Sequence, residues 1–284
     1  MRRRLAWLMM IGLWSGCSGG YVLTAPDSLA STDGPVQAVV RLQWKELPWV
    51  TPPAQAAPLR FQVADGPLRS ARTDKNGCAS VALPAPKSAG VYPLTVALQD
   101  IEGREESWEL RAFVWDPARI VIAVDLDAVP LGGREVIEAR TALLRLAGQA
   151  YILYLSDDPV SRFPALRAAM EAAGLPEGPI LPWREERWWE EDWRKKNWRE
   201  KGWWRSQIVS PLDELRREFP KLQVGIAGSE LAVQAFDSAG MKCLLVRSTK
   251  LTAFGMWGGQ ATQPSGSTEL AGTTSWAKLA AEGL

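Results

Sequence analysis

Two hydrophobic patterns follow one another along the chain, and the change lies near residue 116. In the first part, short runs of alternating apolar and polar residues are separated by Gly, Pro, Asn and Asp, which is typical of β-strands joined by turns. The clearest predicted strands span residues 36–44, 59–64, 91–98 and 108–115. Residues 22–116 are therefore predicted to form an all-β sandwich.

One turn in this part has a more specific signal than the others. Asn76 and Gly77 precede a run in which Ala79, Val81 and Leu83 alternate with smaller or polar residues. An Asn-Gly pair favours a tight hairpin, because both residues tolerate the positive φ angles that such a turn requires. The sequence therefore predicts a hairpin here, with a half-buried second strand.

Residues 117–284 show a second pattern, in which buried strands alternate with helices. Continuous apolar runs mark strands that are buried on both faces of a parallel sheet; they occupy residues 119–124, 150–155, 222–227 and 242–246. Helical spacing follows at residues 135–148, 163–173 and 231–239, and a short helix is predicted from Ser275. This order predicts a doubly wound α/β domain with a parallel sheet, which binds ligands at the carboxyl ends of its strands.

The first seventeen residues have the pattern of an export signal. Three arginines at positions 2–4 precede ten apolar residues, 5–14, which are too few to cross a bilayer core of about 30 Å as a helix. The following Ser-Gly-Cys17 resembles the lipobox of bacterial lipoproteins, which implies acylation of Cys17 and anchoring in a membrane of the cell envelope. The chain would then face the periplasm or the cell surface. An ordinary secretory signal, cut near Gly16 or Gly20, is the alternative.

Composition narrows the possible chemistry. The chain has no histidine, which excludes Ser-His-Asp hydrolysis, Cys-His proteases and zinc sites built on imidazole. Thirty-three basic and 32 acidic residues give a net charge of +1, so there is no electrostatic case for a nucleic-acid partner. Cys78 and Cys243 lie in different predicted domains; we expect two buried free thiols, although an oxidising compartment would also allow a disulfide.

Polar residues that resemble a known phosphohydrolase motif follow two of the predicted parallel strands. Asp125 and Asp127 end the first buried strand, and Ser156 ends the second. This arrangement resembles the haloacid dehalogenase superfamily. The resemblance implies that Asp125 attacks phosphorus, Asp127 protonates the leaving group and Ser156 binds a phosphate oxygen. It also implies Mg²⁺ as cofactor, since a carboxylate approaches a phosphoryl group only where cations offset the repulsion.

The resemblance is closer to one branch of that superfamily. Ser156-Asp-Asp-Pro159, the downstream Phe163-Pro164 and the turn at residues 174–178 (Gly-Leu-Pro-Glu-Gly) resemble the phosphatidate phosphatases of fungal actin patches and their lipin-like relatives. Phe219-Pro220, just before the third strand, also fits. The match covers about half of the chain and concerns the fold more than the active site.

The catalytic motifs depart from the family pattern. Members carry Asp-x-Asp-Asp-Thr, whereas Ala128 and Val129 follow Asp127 here. The family's later acidic cluster is reduced to Ser229 and Glu230, so that Asp125, Asp127 and Glu230 are the remaining candidate metal ligands. Deleting one key electrostatic group commonly costs about 10²–10³ in rate. We therefore expect a catalytically impaired domain that binds or scaffolds; the alternative is an active Mg²⁺-dependent phosphomonoesterase with an aspartyl-phosphate intermediate.

The predicted sandwich at residues 22–116 resembles the immunoglobulin-like modules of bacterial envelope proteins. Such modules usually serve as spacers or binding platforms, and this one contains no catalytic constellation. A spacer role is therefore the simpler interpretation.

A tryptophan-rich insertion is predicted at residues 183–206. It holds seven of the chain's 15 tryptophans, at positions that match neither a single helical stripe nor the alternation of a strand. Packing against the rest of the protein or a protein partner, contact with a membrane interface, and stacking on glycans are the three interpretations. The candidate ligand or membrane contacts are Trp188, Trp189, Trp193, Trp203 and Trp204.

Overall fold

The computed structural model describes residues 20–45, 51–99, 105–133, 135–183, 212–246 and 273–282. Cys17 and the five candidate tryptophans Trp188, Trp189, Trp193, Trp203 and Trp204 lie outside the described residues. The roles given to them above therefore stay predictions.

The first part of the chain, here called the β region, has eight strands in two sheets within its described residues. One sheet has the order β1-β3-β6 and is antiparallel. The other has the order β2-β8-β7-β4-β5 and is mixed, because β2 and β8 are parallel. The strands are β1 Gly20–Thr24, β2 Ser28–Ser31, β3 Pro35–Lys45, β4 Pro58–Val63, β5 Arg69–Arg72, β6 Cys78–Pro84, β7 Gly90–Gln99 and β8 Glu105–Trp115.

The two sheets bury one apolar core between them. Alternate residues of β3, such as Val36, Val40 and Leu42, meet Phe61 of β4 and Val96 of β7 in a single buried cluster. The alternation in the sequence has this cause, since successive strand residues point to opposite faces. The four predicted strands are confirmed, with ends shifted by at most three residues; β1, β2 and β5 were not predicted.

The predicted Asn-Gly hairpin is wrong, although its turn is present. Gly77 has φ +76°, and the Asp74 carboxylate accepts the N–H groups of Asn76 and Cys78, both at 2.8 Å. The turn joins β5 to β6, but β5 pairs with β4 and β6 pairs with β3. The turn therefore passes the chain from one sheet to the other, and its local geometry does not determine which strands pair.

The second part, here called the α/β region, is built on a parallel sheet with the strand order β11-β10-β9-β12-β13-β14. The sheet confirms the predicted α/β class, and the strand and helix ends agree with the prediction within about two residues. The elements are β9 Val121–Asp125, α1 Glu135–Ala147, β10 Tyr151–Ser156, α2 Phe163–Ala172, β11 Ile180–Pro182, a helical stretch at 212–218, β12 Leu222–Ala227, α3 Glu230–Ser238, β13 Lys242–Val246, β14 Thr273–Thr274 and α4 Trp276–Glu282.

Helices cover both faces of this sheet. On one face, Ile122 and Val124 of β9 join a buried cluster with residues of α1, α2 and α4. On the other face, Val121 and Ala123 join a cluster with residues of α3 and the helical stretch at 212–218. Both faces of β9 are therefore buried, which explains its continuous apolar run.

The two cysteines among the described residues do not form a disulfide. Cys78 is half-buried and Cys243 is buried, and both are free thiols. Burial raises the pKa of the Cys78 thiol to about 11 and that of the Cys243 thiol to about 12.

Among the described residues, no helix has the length and apolarity needed to cross a bilayer.

Aromatic residues at the end of β8 connect the β region to the α/β region. Trp115 stacks on Tyr151 of β10, with ring centroids 4.6 Å apart and planes within 3°, and it meets Phe219 edge to face at 5.9 Å. Phe113 and Trp115 belong to the same buried cluster as Val121. Part of the α/β core is thus supplied by a strand of the β region.

An ion pair reinforces this interface. Asp27, which precedes β2, pairs with Arg167 of α2, and its carboxylate also accepts the N–H of Ile180 at 2.6 Å. Both side chains are largely buried, with 13% and 14% of their surface exposed. Burial raises the pKa of Asp27, while the charge of Arg167 lowers it. Arg111 pairs with Glu171 in a more exposed position.

The buried pair predicts an unequal response to two carboxylate truncations. Asp27→Ala leaves the Arg167 guanidinium buried without its partner, so we expect it to lower the free energy of unfolding by about 3 kcal/mol. Glu171→Ala, the matched control, removes an exposed partner of Arg111 and should cost less than about 1 kcal/mol. Urea unfolding of both variants measures the difference, and equal small losses would contradict it.

Candidate functional site

The predicted site residues of the first two parallel strands lie at one edge of the sheet. Asp125 ends β9 and Ser156 ends β10, and the strands are in parallel register with Asp125 beside Leu155. Gly228 follows the end of β12, the neighbour of β9 on the other side. From β9 the chain adds β10 and β11 on one side of the sheet and β12 and β13 on the other. The strand order therefore reverses between β9 and β12, which is where a ligand crevice is expected in such a sheet.

Instead, the Asp125 carboxyl group closes the gap between these strand ends. One oxygen accepts the Gly228 N–H at 3.1 Å, and the other accepts the Asp127 N–H at 3.2 Å. The Trp183 side chain donates a further hydrogen bond to the same carboxyl group. Asp125 therefore caps the 3₁₀ turn Leu126–Ala128 and ties it to the loop after β12.

Burial changes the acidity of this group. Asp125 is 2% exposed. Burial, followed by the negative charge of Asp127, raises the pKa of the Asp125 carboxyl to about 7, and the three hydrogen bonds limit this rise. Near neutral pH the group is therefore about half protonated, whereas a carboxylate nucleophile has to be ionised.

Gly228 makes the closure tight. A Cβ atom added to Gly228 would lie 2.3 Å from the Ala128 nitrogen and 2.5 Å from the Asp127 carbonyl carbon. Such distances do not occur between unbonded atoms, so the loop after β12 lies directly against the turn after β9. A phosphoryl group has no room between these two backbones.

The turn after β9 also packs into the core. Leu126, Ala128 and Val129 are buried in the cluster on the α1 face of the sheet. The indole N–H of Trp276, in α4, donates to the Ala128 carbonyl at 2.7 Å. Positions that carry Asp and Thr in the phosphatases thus have an apolar packing role in this chain.

The remaining polar side chains at the edge bind one another or lie in solvent. The Ser156 hydroxyl is buried and accepts the Asp158 N–H at 3.1 Å, and Asp158 forms an exposed ion pair with Arg162. Asp127 is more open to solvent than Asp125. Its remaining burial and the negative charge of Asp158 raise the pKa of Asp127.

The described residues do not fit a magnesium ion. Among them, no three Asp, Glu, Cys or His side chains are placed to hold a metal, so Glu230 does not complete a cluster with Asp125 and Asp127. Glu230 is exposed and begins α3. Ser229, the other residual family residue, caps this helix by accepting the Ala232 N–H at 3.2 Å. Magnesium prefers about six oxygen ligands, which these residues do not supply.

Trp183 is the residue at this edge whose role the sequence did not reveal. The sequence assigned it to the tryptophan-rich insertion, but its N–H donates to the Ser156 carbonyl at 3.1 Å and its side chain donates to Asp125. Its ring is buried and packs against Phe236 of α3, with centroids 5.2 Å apart. The only local signal was its position directly after the short apolar run of β11.

Two open surface grooves in the described chain lie away from this edge. One is lined by residues of the helical stretch at 212–218 and by Pro220. The other lies between the two regions and includes Ser31, Gln37 and Glu218. Neither groove contains Asp125, Asp127 or Ser156.

Comparison with known proteins identifies no family for the chain. No family model matches it, and no curated protein matches it. Among solved structures, a carbohydrate acetylesterase from Xanthomonas citri is similar over 80% of this chain and 68% of its own, at 13% identity and a TM-score of 0.31. A 2,6-sialyltransferase from Photobacterium sp. is similar over 78% of this chain and 41% of its own, at 8% identity and a TM-score of 0.24.

A third solved structure, the extracellular domain of a one-component system from B. thetaiotaomicron, is similar over 35% of this chain at 11% identity. This chain covers 16% of that domain, and the TM-score is 0.23. All three likenesses are distant, so the function proposed below is argued from the site itself.

The tight loop contact predicts a large effect of a single methyl group. Gly228→Ala forces two backbone segments apart and breaks the hydrogen bond to Asp125, so we expect a loss of about 2–4 kcal/mol in the free energy of unfolding. Gly132→Ala is the matched control, because no atom lies within 4 Å of its added Cβ. Urea unfolding compares the two, and wild-type stability of the Gly228 variant would refute the closed geometry.

The raised pKa of Asp125 predicts a pH-dependent stability with a defined sign. The folded state keeps a proton that the unfolded chain releases near pH 3.8, so the resulting stabilisation is complete below that pH and is lost as the pH rises through about 7. Asp125→Asn removes this dependence. We expect the free energy of unfolding of wild type, relative to the variant, to fall by a few kcal/mol between about pH 4 and 8, since each pKa unit corresponds to about 1.4 kcal/mol. Thermal unfolding in EDTA across this range measures it, and parallel curves would contradict it.

Proposed function

We propose that the chain is an exported, membrane-anchored lipoprotein of the bacterial cell envelope whose α/β region binds or scaffolds without turnover. In this proposal the α/β region is a haloacid dehalogenase-like domain, related to the phosphatidate phosphatases, that has lost its chemistry. The β region is an immunoglobulin-like module, and Cys17 carries the lipid.

The occupied carboxyl group of Asp125 is the observation that carries this proposal. A nucleophile has to lie about 3–3.5 Å from the reacting atom, with an open line of approach. The Asp125 oxygens instead accept hydrogen bonds from Gly228, Asp127 and Trp183, and 2% of the residue is exposed. Attack on phosphorus would require the protein to break two backbone hydrogen bonds and displace a buried indole.

Electrostatics favours the same conclusion. Asp127 and the ionised fraction of Asp125 place negative charge at the sheet edge, and among the described residues no group of three possible metal ligands is placed to bind a cation that would offset it. A dianionic phosphomonoester would be repelled there. No catalytic step is therefore assigned to these residues.

Trp183 supports a binding role at the same edge. It is the first residue of the tryptophan-rich insertion, and its bonds to Ser156 and Asp125 place that first residue beside the strand ends. Tryptophan binds through a large apolar ring and one N–H donor, which suits a lipid, a glycan or a protein partner. We propose that the insertion, rather than the aspartates, selects the ligand.

A phosphatase assay separates this proposal from an active Mg²⁺-dependent phosphomonoesterase. Purified chain is incubated with p-nitrophenyl phosphate and with phosphatidate in mixed micelles, each with Mg²⁺ or EDTA. We expect equal, near-background rates for wild type and Asp125→Asn, because Asp125 is already occupied. Metal-dependent turnover that is lost in Asp125→Asn would overturn the proposal, and Glu230→Gln would then test the weakest of the candidate ligands.

A further inference from the structure

The β region has two ends, and among the described residues its contacts with the α/β region lie toward one of them. Strand β3 runs over eleven residues, or about 33 Å, from Pro35 to Lys45. Pro35 follows the turn after β2, whose last residue Ser31 pairs with Trp115. The near end, at Pro35 and Trp115, therefore adjoins the α/β region, and the far end is at Lys45.

The contacts between the two regions agree with this division. Trp115 meets Tyr151 and Phe219, and the Ser31 N–H donates to Glu218 at 2.6 Å. On β8, the contact residue farthest from Trp115 is Arg111, which still lies six residues, or about 20 Å, from Glu105 at the far end. The far end is thus separated from the described contacts with the α/β region by roughly half the length of the sandwich or more.

Strand β1 begins at the far end. Gly20, the first residue of β1, pairs with Lys45, the last residue of β3. Three peptide units join Cys17 to Gly20, so their Cα atoms are at most about 11 Å apart whatever the path of the chain. An acyl group on Cys17 would consequently bring the far end to within about one headgroup layer of the bilayer.

The surface of the far end suits a membrane interface. Tyr21 and Trp44 form an edge-to-face pair with centroids 4.7 Å apart, and both are half-buried. Tyr and Trp are enriched at the level of lipid headgroups, where an apolar ring meets water. Lys45 and Lys75 are exposed nearby, on the last residue of β3 and in the turn before β6. Asp74 adjoins Lys75, and Glu105 begins β8 at the same end, so the charge of this surface is mixed and the aromatic pair carries the argument for a membrane contact.

We propose that the far end of the β region, formed by Gly20, Tyr21, Trp44 and Lys45, lies on the phospholipid headgroups of the membrane that holds the acyl chains of Cys17. This inference rests on the proposed lipidation. The β region then acts as a spacer with a fixed orientation, which holds the α/β region away from that membrane. The ligand of the carboxyl edge is accordingly not a lipid of the anchoring membrane but a partner in the aqueous envelope.

Three exposed apolar positions allow a direct test of this orientation. Val22 lies near the far end and is 37% exposed, while Val91 is 43% exposed and pairs with Phe113 near the other end. Leu231, 55% exposed, lies in the first turn of α3 beside the carboxyl edge. Each is replaced by Cys in an acylated full chain carrying Cys78→Ala and is labelled with an environment-sensitive dye. The buried Cys243 stays unlabelled.

The labelled proteins are reconstituted into vesicles of phosphatidylcholine and phosphatidylglycerol that contain a lipid with a nitroxide on its headgroup. We expect quenching of the dye at position 22 to exceed that at positions 91 and 231 several-fold. Equal quenching at all three positions, or strongest quenching at position 231, would overturn the proposed orientation.

A separate readout distinguishes this inference from the proposed lack of turnover. The mass of the N-terminal peptide reports whether Cys17 is acylated. A chain without acylation would overturn the membrane contact, yet it would leave the phosphatase result unchanged. Conversely, metal-dependent turnover would overturn the binding role without altering the quenching pattern.

Discussion

The hydrogen bonds of one buried carboxyl group, at the carboxyl end of strand β9, hold together the edge of the parallel sheet where a ligand site was expected. Asp125 joins the end of β9 to the loop after β12 and to Trp183 after β11, so that one side chain connects three segments distant in sequence. Such a network is favourable because each N–H donor is satisfied away from water. The same hydrogen bonds occupy the carboxyl oxygens that a nucleophile would need. The contacts of Asp125 that stabilise the fold therefore prevent it from attacking a substrate.

The second organising contact is the interface between the two regions. Phe113 and Trp115 complete a core cluster of the α/β region, and Asp27 reaches Arg167 across the boundary. The β region is therefore a structural part of the α/β core at one end, while its other end leaves Tyr21 and Trp44 half-buried at the surface. The two ends of the β region therefore differ: one packs against the α/β region, and the other is open to solvent or to a partner.

Much of the fold could be predicted from hydrophobic periodicity, because burial on one or both faces of a strand leaves a local pattern. The runs that became β9, β10, β12 and β13 were recognised nearly to their ends. The short strands β2 and β11 were missed, since four and three residues carry too little periodicity. The Asn76-Gly77 turn was recognised, but its strands pair elsewhere because pairing depends on long-range contacts.

The sequence by itself determined the classes of the two regions, the absence of imidazole chemistry and the position of Asp125 and Ser156 at strand ends. Only the tertiary structure decided that Gly228 lies against the turn after β9, that Trp183 donates to Asp125, and that Glu230 does not join the aspartates. The physical reason is that strand ends are local properties of the chain. The distance between two loops, and the solvent left between them, depends on how every element packs.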